Sequence, residues 1–317
     1  MCYSYNDSLL YWKQYQRFFP EEIRLKQGRL PTEEWWEWKR GKIHLDRMPA
    51  AGARLKIISV HGAGGYGRLL APYAGMLQSC GYEVVSPDLP PYGLSRTHST
   101  YSLNYSLWVD LIAELIDREY AHDGIPVVLL GSSIGGMLAY HAAARNKRVK
   151  GLIATTFVDT SRPEVRDQLA PNRIISRLGK LAMDRLPLVL DSFKISVKHV
   201  SRMQFISNNT DLTRLIINDP AAAGTRIPLK LLRTFLNMQP EVQPEDFKTC
   251  PVLLVHPEQD AMTPIAFSEP FYNRLGSAKE CVILEGAGHF PIEAPGLQQM
   301  KSAVLSFLET VENNLQG

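Results

Sequence analysis

At 317 residues the chain is long enough for one large α/β domain with an insertion, or for two small domains. Its 45% apolar and 21% charged content is that of an ordinary globular protein, and a net charge of +3 is too small to argue for a nucleic-acid partner. The four cysteines (Cys2, Cys80, Cys250 and Cys281) have no metal-ligand spacing, which predicts unpaired thiols in a reducing compartment. Residues 1–7 lack a basic-then-apolar leader pattern, and no run approaches the ~18 apolar residues of a membrane span. The expectation is a cytoplasmic protein without a transmembrane helix.

Residues 6–19 read as a helix, with Leu10 or Tyr11, Tyr15 and Phe18 or Phe19 at helical spacing and Pro20 as the stop. Such an aromatic helix either packs on the main domain or lies in a membrane interface. Packing is the expectation, because interfacial helices carry a more basic polar face. Trp36 and Trp38, then Ile43 and Leu45 after a turn at Gly41, predict an antiparallel strand pair packed on the core.

From Leu55 the pattern alternates. Strands are expected at 55–60, 83–86, 127–130 and 149–155, and helices at 69–80 and 103–120. The alternation lapses between about 157 and 248. It resumes with strands at 252–255 and 280–284 and helices near 267–275 and 297–311. Continuously apolar strands separated by helices predict a mostly parallel sheet covered by helices on both faces. The lapse contains helix-like stretches at 173–186 and 227–237 and reads as an insertion over the C-terminal edge of the sheet, where open α/β folds bind ligands. Between residues 160 and 245 it carries 13 Lys/Arg against 8 Asp/Glu, an excess that suits a solvated surface or, alternatively, an anionic lipid or acidic substrate.

The chemistry concentrates at Gly131-Ser132-Ser133-Ile134-Gly135-Gly136, between an apolar strand and a helix beginning near Met137. A Gly-x-Ser-x-Gly turn in that setting is a nucleophile elbow. It holds the central hydroxyl, that of Ser133, at the end of a rigid sheet near a helix N-terminus. Ser132 is the competing serine, without glycines two residues away on both sides.

Two further signatures accompany the elbow. His61-Gly62-Ala63-Gly64-Gly65 follows the first strand of the alternating region, and the loops at His256-Pro257-Glu258-Gln259-Asp260 and Gly286-Ala287-Gly288-His289 follow the last two strands. With Ser133 between them, this order resembles the α/β-hydrolase superfamily over roughly residues 55–312, outside the insertion. A narrower likeness is to the monoacylglycerol lipase and lysophospholipase group, from which the chain departs at Ser132, Ile134, Gly65 and Tyr66. The resemblance implies an α/β-hydrolase fold with a helical cap: residues 1–54 as an N-terminal extension with the first strands, 55–156 and 249–317 as the core, and 157–248 as the cap.

It also implies roles. A serine hydroxyl needs a base in hydrogen-bond reach, which His289 would supply, with Asp260 holding the imidazole. The backbone N–H groups of Ala63 and Ile134 would form the oxyanion hole. Glu258 and Asp159 are the competing acids. His61 is expected to shape its loop, and His141, behind Ser133, to be a packed, hydrogen-bonded residue. His44, His98, His122, His199 and His256 form no metal-ligand cluster, and no Walker or dinucleotide fingerprint is present, so no cofactor or metal is expected.

The combined reading is a serine hydrolase that cleaves a small-molecule carboxylic ester, lipophilic because the cap should roof an apolar pocket. The same residues would also serve a C–C hydrolase, thioesterase, amidase or lyase, and a non-catalytic binding protein is the remaining alternative. Peripheral membrane contact and oligomeric state stay open.

Overall fold

The computed structural model describes residues 4–6, 10–26, 28–39, 41–97 and 103–316. Cys2 and His98 lie outside them. The chain begins with α1 (Leu10–Tyr15), continued by a 3₁₀ turn at Gln16–Phe18. The helix is shorter than the expected 6–19, of which residues 7–9 lie outside the described residues. Its end is set by Pro20, which holds Phe19 extended at φ −78° and ψ 135°.

Strands β1 (Thr32–Trp38) and β2 (Gly41–Met48) form the expected antiparallel pair, with Trp36 opposite Ile43. There follow β3 (Lys56–Val60), α2 (Ala71–Gln78), β4 (Glu83–Pro87) and the short β5 (Arg96–Thr97). Next come α3 (Tyr105–Asp123), β6 (Val127–Gly131), α4 (Ile134–Arg145) and β7 (Val149–Ala154). Asn104 caps α3 by accepting the Leu107 N–H, and left-handed Gly124 (φ 73°) ends it.

The intervening segment holds α5 (Pro163–Leu169), α6 (Arg173–Arg185), α7 (Pro187–Leu190), β8 (Lys194–Ser196), α8 (Thr210–Asn218), β9 (Arg226–Pro228) and α9 (Leu229–Leu236). The helix expected from 227 starts at 229, because Pro228 keeps Ile227 extended, and Ile227 instead pairs with Ile195 in an antiparallel ribbon. The chain closes with β10 (Val252–Pro257), α10 (Ile265–Arg274), β11 (Lys279–Leu284) and α11 (Gly296–Gln316).

The main sheet runs β1-β2-β4-β3-β6-β7-β10-β11, with β5 beside β2. Pairings from β4 to β11 are parallel, while those of β1 and β2 are antiparallel. The central strands β3, β6 and β10 are buried throughout, which is why they read as continuous apolar runs. Helices cover both faces. On β7, Gly151 lies against Phe307 and Val311 of α11, whereas Ala154, three residues on and so on the opposite face, lies against α4 at Gly136.

The order of strands reverses at β3, which has β4 on one side and β6 on the other. In open α/β sheets the ligand crevice lies outside the strand C-termini at such a point. Here the loops leaving β3 and β6 carry His61–Gly65 and Ser132–Ser133. Among the described residues no helix is long and apolar enough to cross a membrane.

The N-terminal segment is part of the core. Tyr5, Trp12, Tyr15 and Phe19 are all buried. Beneath them lies a cluster of two cations and three carboxylates. Arg68 donates to both oxygens of Asp46 (2.5 and 2.8 Å), and His44 Nε2 lies 3.0 Å from Glu33. His44 Nδ1 is 3.3 Å from Asp88 Oδ2 without hydrogen-bond alignment, so that contact is electrostatic. Burial would lower the His44 pKa, but Asp88 and Glu33 outweigh it and raise the pKa to about 10.

Candidate active site

Ser133 sits at φ 57°, ψ −129°, a left-handed conformation rare for a residue with a side chain and costing on the order of 1–3 kcal/mol. Its neighbours show what holds it there. A Cβ on Gly131 would collide with the Gly135 carbonyl, one on Gly135 with that of Val60, and one on Gly136 with that of Thr156. The Ser133 N–H donates to Thr155 Oγ1 (2.9 Å), a contact between adjacent strand ends that sequence reading did not anticipate. Gly62 also has no room for a side chain, since a Cβ there would lie 2.7 Å from Ser133 Cβ.

The β3 loop is fixed by His61. Its Nδ1 lies 2.8 Å from the Gly62 carbonyl, and its Nε2 accepts the Leu89 N–H (2.9 Å). Nδ1 therefore carries the proton, and burial lowers the pKa, so the ring is neutral and fully engaged. It shapes the loop, as expected. No hydrogen bond among the described residues takes up the N–H of Ala63 or of Ile134, which leaves both groups available at the site.

Asp260 and His289 meet from the loops after β10 and β11. His289 Nδ1 is 2.8 Å from Asp260 Oδ2. Asp260 also accepts the N–H groups of Met262 (2.9 Å) and Thr263 (2.7 Å) and the Thr263 hydroxyl (2.8 Å). Burial pushes the Asp260 pKa up, but the charge of His289 and these hydrogen bonds outweigh it and leave it below the usual aspartate value. An ionised carboxylate only accepts, so His289 Nδ1 donates and Nε2 is free to take a proton. Thr263, whose hydroxyl also lies 3.2 Å from His289 Nδ1, contacts both side chains and was missed by sequence analysis. The only sequence signal for it was a hydroxyl three residues after the acid.

The competing acids are engaged elsewhere. Glu258 accepts the Gly286 N–H (2.9 Å), and Asp159 accepts the N–H and hydroxyl of Ser161. His141 corrects an expectation: it is packed against Tyr105 and Tyr140, but its Nε2 has no hydrogen-bond partner among the described residues. Burial drops its pKa to about 4, so it remains neutral without one. No group of three or more His, Cys, Asp or Glu side chains among the described residues is placed to hold a metal. Cys80, Cys250 and Cys281 are unpaired.

Two cavities meet at Ser133. The smaller, about 60 Å³, is lined by His289, Ser132, Ser133 and Ala63, and by Tyr15 and Tyr66. The larger, about 320 Å³, is lined by Ser133, Ile134 and Ala63 at one end and by side chains such as Met183, Leu231 and Phe235 of the intervening segment. Ser133 lines both, whereas Ser132 lines the smaller. His289 lines the smaller and, among the described residues, not the larger.

Comparison with known proteins agrees with this architecture. A pimeloyl-[acyl-carrier protein] methyl ester esterase of Xanthomonas oryzae is 34% identical over 110 residues, 35% of this chain. The match spans 38% of that relative's own length. A monoglyceride lipase of Saccharomyces cerevisiae, solved with a substrate analogue, superposes with a TM-score of 0.73 at 18% identity, covering 92% of this chain and 98% of the other. The monoacylglycerol lipase of Paleococcus ferrophilus superposes with a TM-score of 0.67 at 20% identity, covering 85% and 99%. At these identities the structures share the fold. The family model described as serine aminopeptidase, S33, matches residues 51–293, spanning the β3 loop, the elbow and the last two loops, and the chain belongs to this family of α/β-hydrolases.

Proposed function

We propose that the protein is a serine hydrolase cleaving a lipophilic carboxylic ester through an acyl-enzyme on Ser133. The observation that carries this reading is a strained serine opening onto two cavities, with the Asp260–His289 pair on one side. His289 Nε2 would take the Ser133 proton as Oγ bonds to the ester carbon, then pass it to the alkoxide as the C–O bond breaks. Water would repeat the sequence, releasing the acid and restoring Ser133. Asp260 would hold the imidazole, and the Ala63 and Ile134 N–H groups would bind the oxyanion. Each such donor is worth on the order of 10²–10³ in rate. The residue set 157–248 acts in this reading as a cap over a core of 55–156 and 249–317, with 1–54 adding the first strands.

The leaving oxygen must face His289, which assigns the alcohol to the smaller cavity and the acyl chain to the larger. The same cavities argue against a free amino terminus as substrate despite the family's peptidase name. No carboxylate lines either one among the described residues, and the charged side chains at the larger are Arg166 and Lys180. The unpaired cysteines fit a reducing, cytoplasmic setting.

The outer face of the cap supports transient contact with anionic lipid. Ile174, Leu178, Leu181 and Leu188 are exposed beside Arg173 and Arg185, while the inner face of α6 lines the larger cavity through Gly179 and Met183.

The test is hydrolysis of methyl esters from acetate to palmitate, followed by acid release, with Ser133→Ala alongside. The expected result is a medium- or long-chain optimum and a loss of kcat by at least about 10⁴ in the variant. Equal turnover by both proteins would overturn the reading.

A further inference from the structure

The smaller cavity is lined in part by a residue from outside the hydrolase loops. Tyr15, in α1, is buried and lines the cavity together with Ser133 and His289. Its hydroxyl donates to Asp219 Oδ2 (3.0 Å), and the Tyr66 hydroxyl donates to the same oxygen (3.0 Å). The other oxygen, Oδ1, accepts the Ala221 N–H (2.8 Å). Asp219 follows α8 and is buried, so one carboxylate ties the N-terminal segment, the loop after β3 and the intervening segment into a single wall. α1 packs on α8, whose Leu212 and Ile216 also line the cavity. Nearby, Phe19 and Tyr73 pack on Phe290, the residue after His289.

The space beside Tyr15 is small. At 60 Å³ it has room for on the order of five water-sized groups, while the cavity on the other side of Ser133 is about five times larger. Tyr15 cannot swing away cheaply, since its hydroxyl would give up a buried carboxylate partner. From this geometry we infer that Tyr15, anchored by Asp219 alongside Tyr66, is a specificity-determining residue that limits the leaving group to a short alcohol. The preferred substrates are then long-chain acyl esters of short alcohols, with up to about five non-hydrogen atoms. The assignment of the smaller cavity to the alcohol rests on the ester-hydrolase reading; the role of Tyr15 in bounding that cavity does not.

The experiment uses the full chain and two readouts. The first is kcat/KM for methyl, ethyl, butyl and benzyl octanoate. The second needs no ester turnover: the rate of irreversible phosphonylation by octylphosphonofluoridates carrying either a methoxy or a benzyloxy group. Wild-type protein is expected to favour methyl over benzyl by about tenfold or more in both, the scale on which a pocket rejects one oversized group. Tyr15→Ala should raise the benzyl-to-methyl ratio by about tenfold, Tyr15→Leu less, and Tyr15→Phe, which keeps the ring but loses the Asp219 anchor, least. Circular dichroism and thermal melting identify any variant that fails to fold, and Tyr15→Leu is the milder replacement if Tyr15→Ala does. An unchanged ratio in a folded Tyr15→Ala or Tyr15→Leu protein overturns the inference. A wild type that phosphonylates but hydrolyses none of the esters contradicts the ester reading, and the phosphonylation ratios still decide whether Tyr15 bounds the pocket.

Discussion

The N-terminal segment and the α6–α7 region are both rich in large apolar side chains, and the fold treats them in opposite ways. Trp12, Tyr15 and Phe19 retain 3%, 1% and 1% of their exposure, whereas Ile174, Leu178 and Leu188 retain 70%, 62% and 99%. The difference lies in what each meets. The N-terminal aromatics have polar ends or edges with partners: Tyr15 has Asp219, and Trp12 has the Arg68 guanidinium 5.6 Å from its ring. The outer face of α6 meets solvent, and its inner face lines a cavity. Helical spacing reveals that a face is apolar but not what covers it, which is why residues 6–19 and the basic insertion both left membrane contact open.

The comparison breaks most readily at the buried end. Trp12→Ala should cost about 3–5 kcal/mol in urea denaturation, the usual range for deleting a buried tryptophan. A loss under ~1 kcal/mol would mean that the segment is not integral to the core.

The charge cluster beneath that segment gives the next largest effect. The His44 pKa is raised in the folded protein to about 10, against an ordinary 6.5. The folded state therefore holds the proton more tightly, and this stabilisation is complete below pH 6.5 and is lost as pH rises through 10. His44→Gln should be less stable than wild type at pH 6, and the gap should shrink toward pH 10, by up to about 1.4 kcal/mol per pH unit in between. A gap that does not vary with pH would show that His44 is neutral in the fold.

At the exposed end the smallest stability change is expected. Ile174→Ser with Leu178→Ser should alter stability by no more than about 0.5 kcal/mol per site, as for surface positions generally. The same pair should weaken co-sedimentation with phosphatidylglycerol vesicles. Equal binding by variant and wild type would remove the lipid-facing role.

What could be read in the sequence followed locality. The elbow at Ser133 was legible because strand, glycines and helix are contiguous, and the loops at His61 and His289 because each follows an apolar strand. Asp260 was preferred to Glu258 and Asp159 in the sequence because it ends the turn after a strand and precedes Met262-Thr263-Pro264; the Met262 and Thr263 N–H groups and the His289 ring distinguish it in three dimensions. Helix α8 was missed although Leu212, Leu215 and Ile216 stand at helical spacing; its start depends on the Asn209 cap, which accepts from Asp211 and Leu212. The shared use of Asp219 by Tyr15 and Tyr66 joins positions 204 and 153 residues apart and has no local signature.

The account depends most on Ser133 being an activated nucleophile. The direct measurement is mass-spectrometric mapping of the adduct formed with a fluorophosphonate, in wild type and in Ser133→Ala. The account predicts one adduct on Ser133, absent from the variant. An adduct on Ser132, or none in a folded wild-type sample, would contradict it.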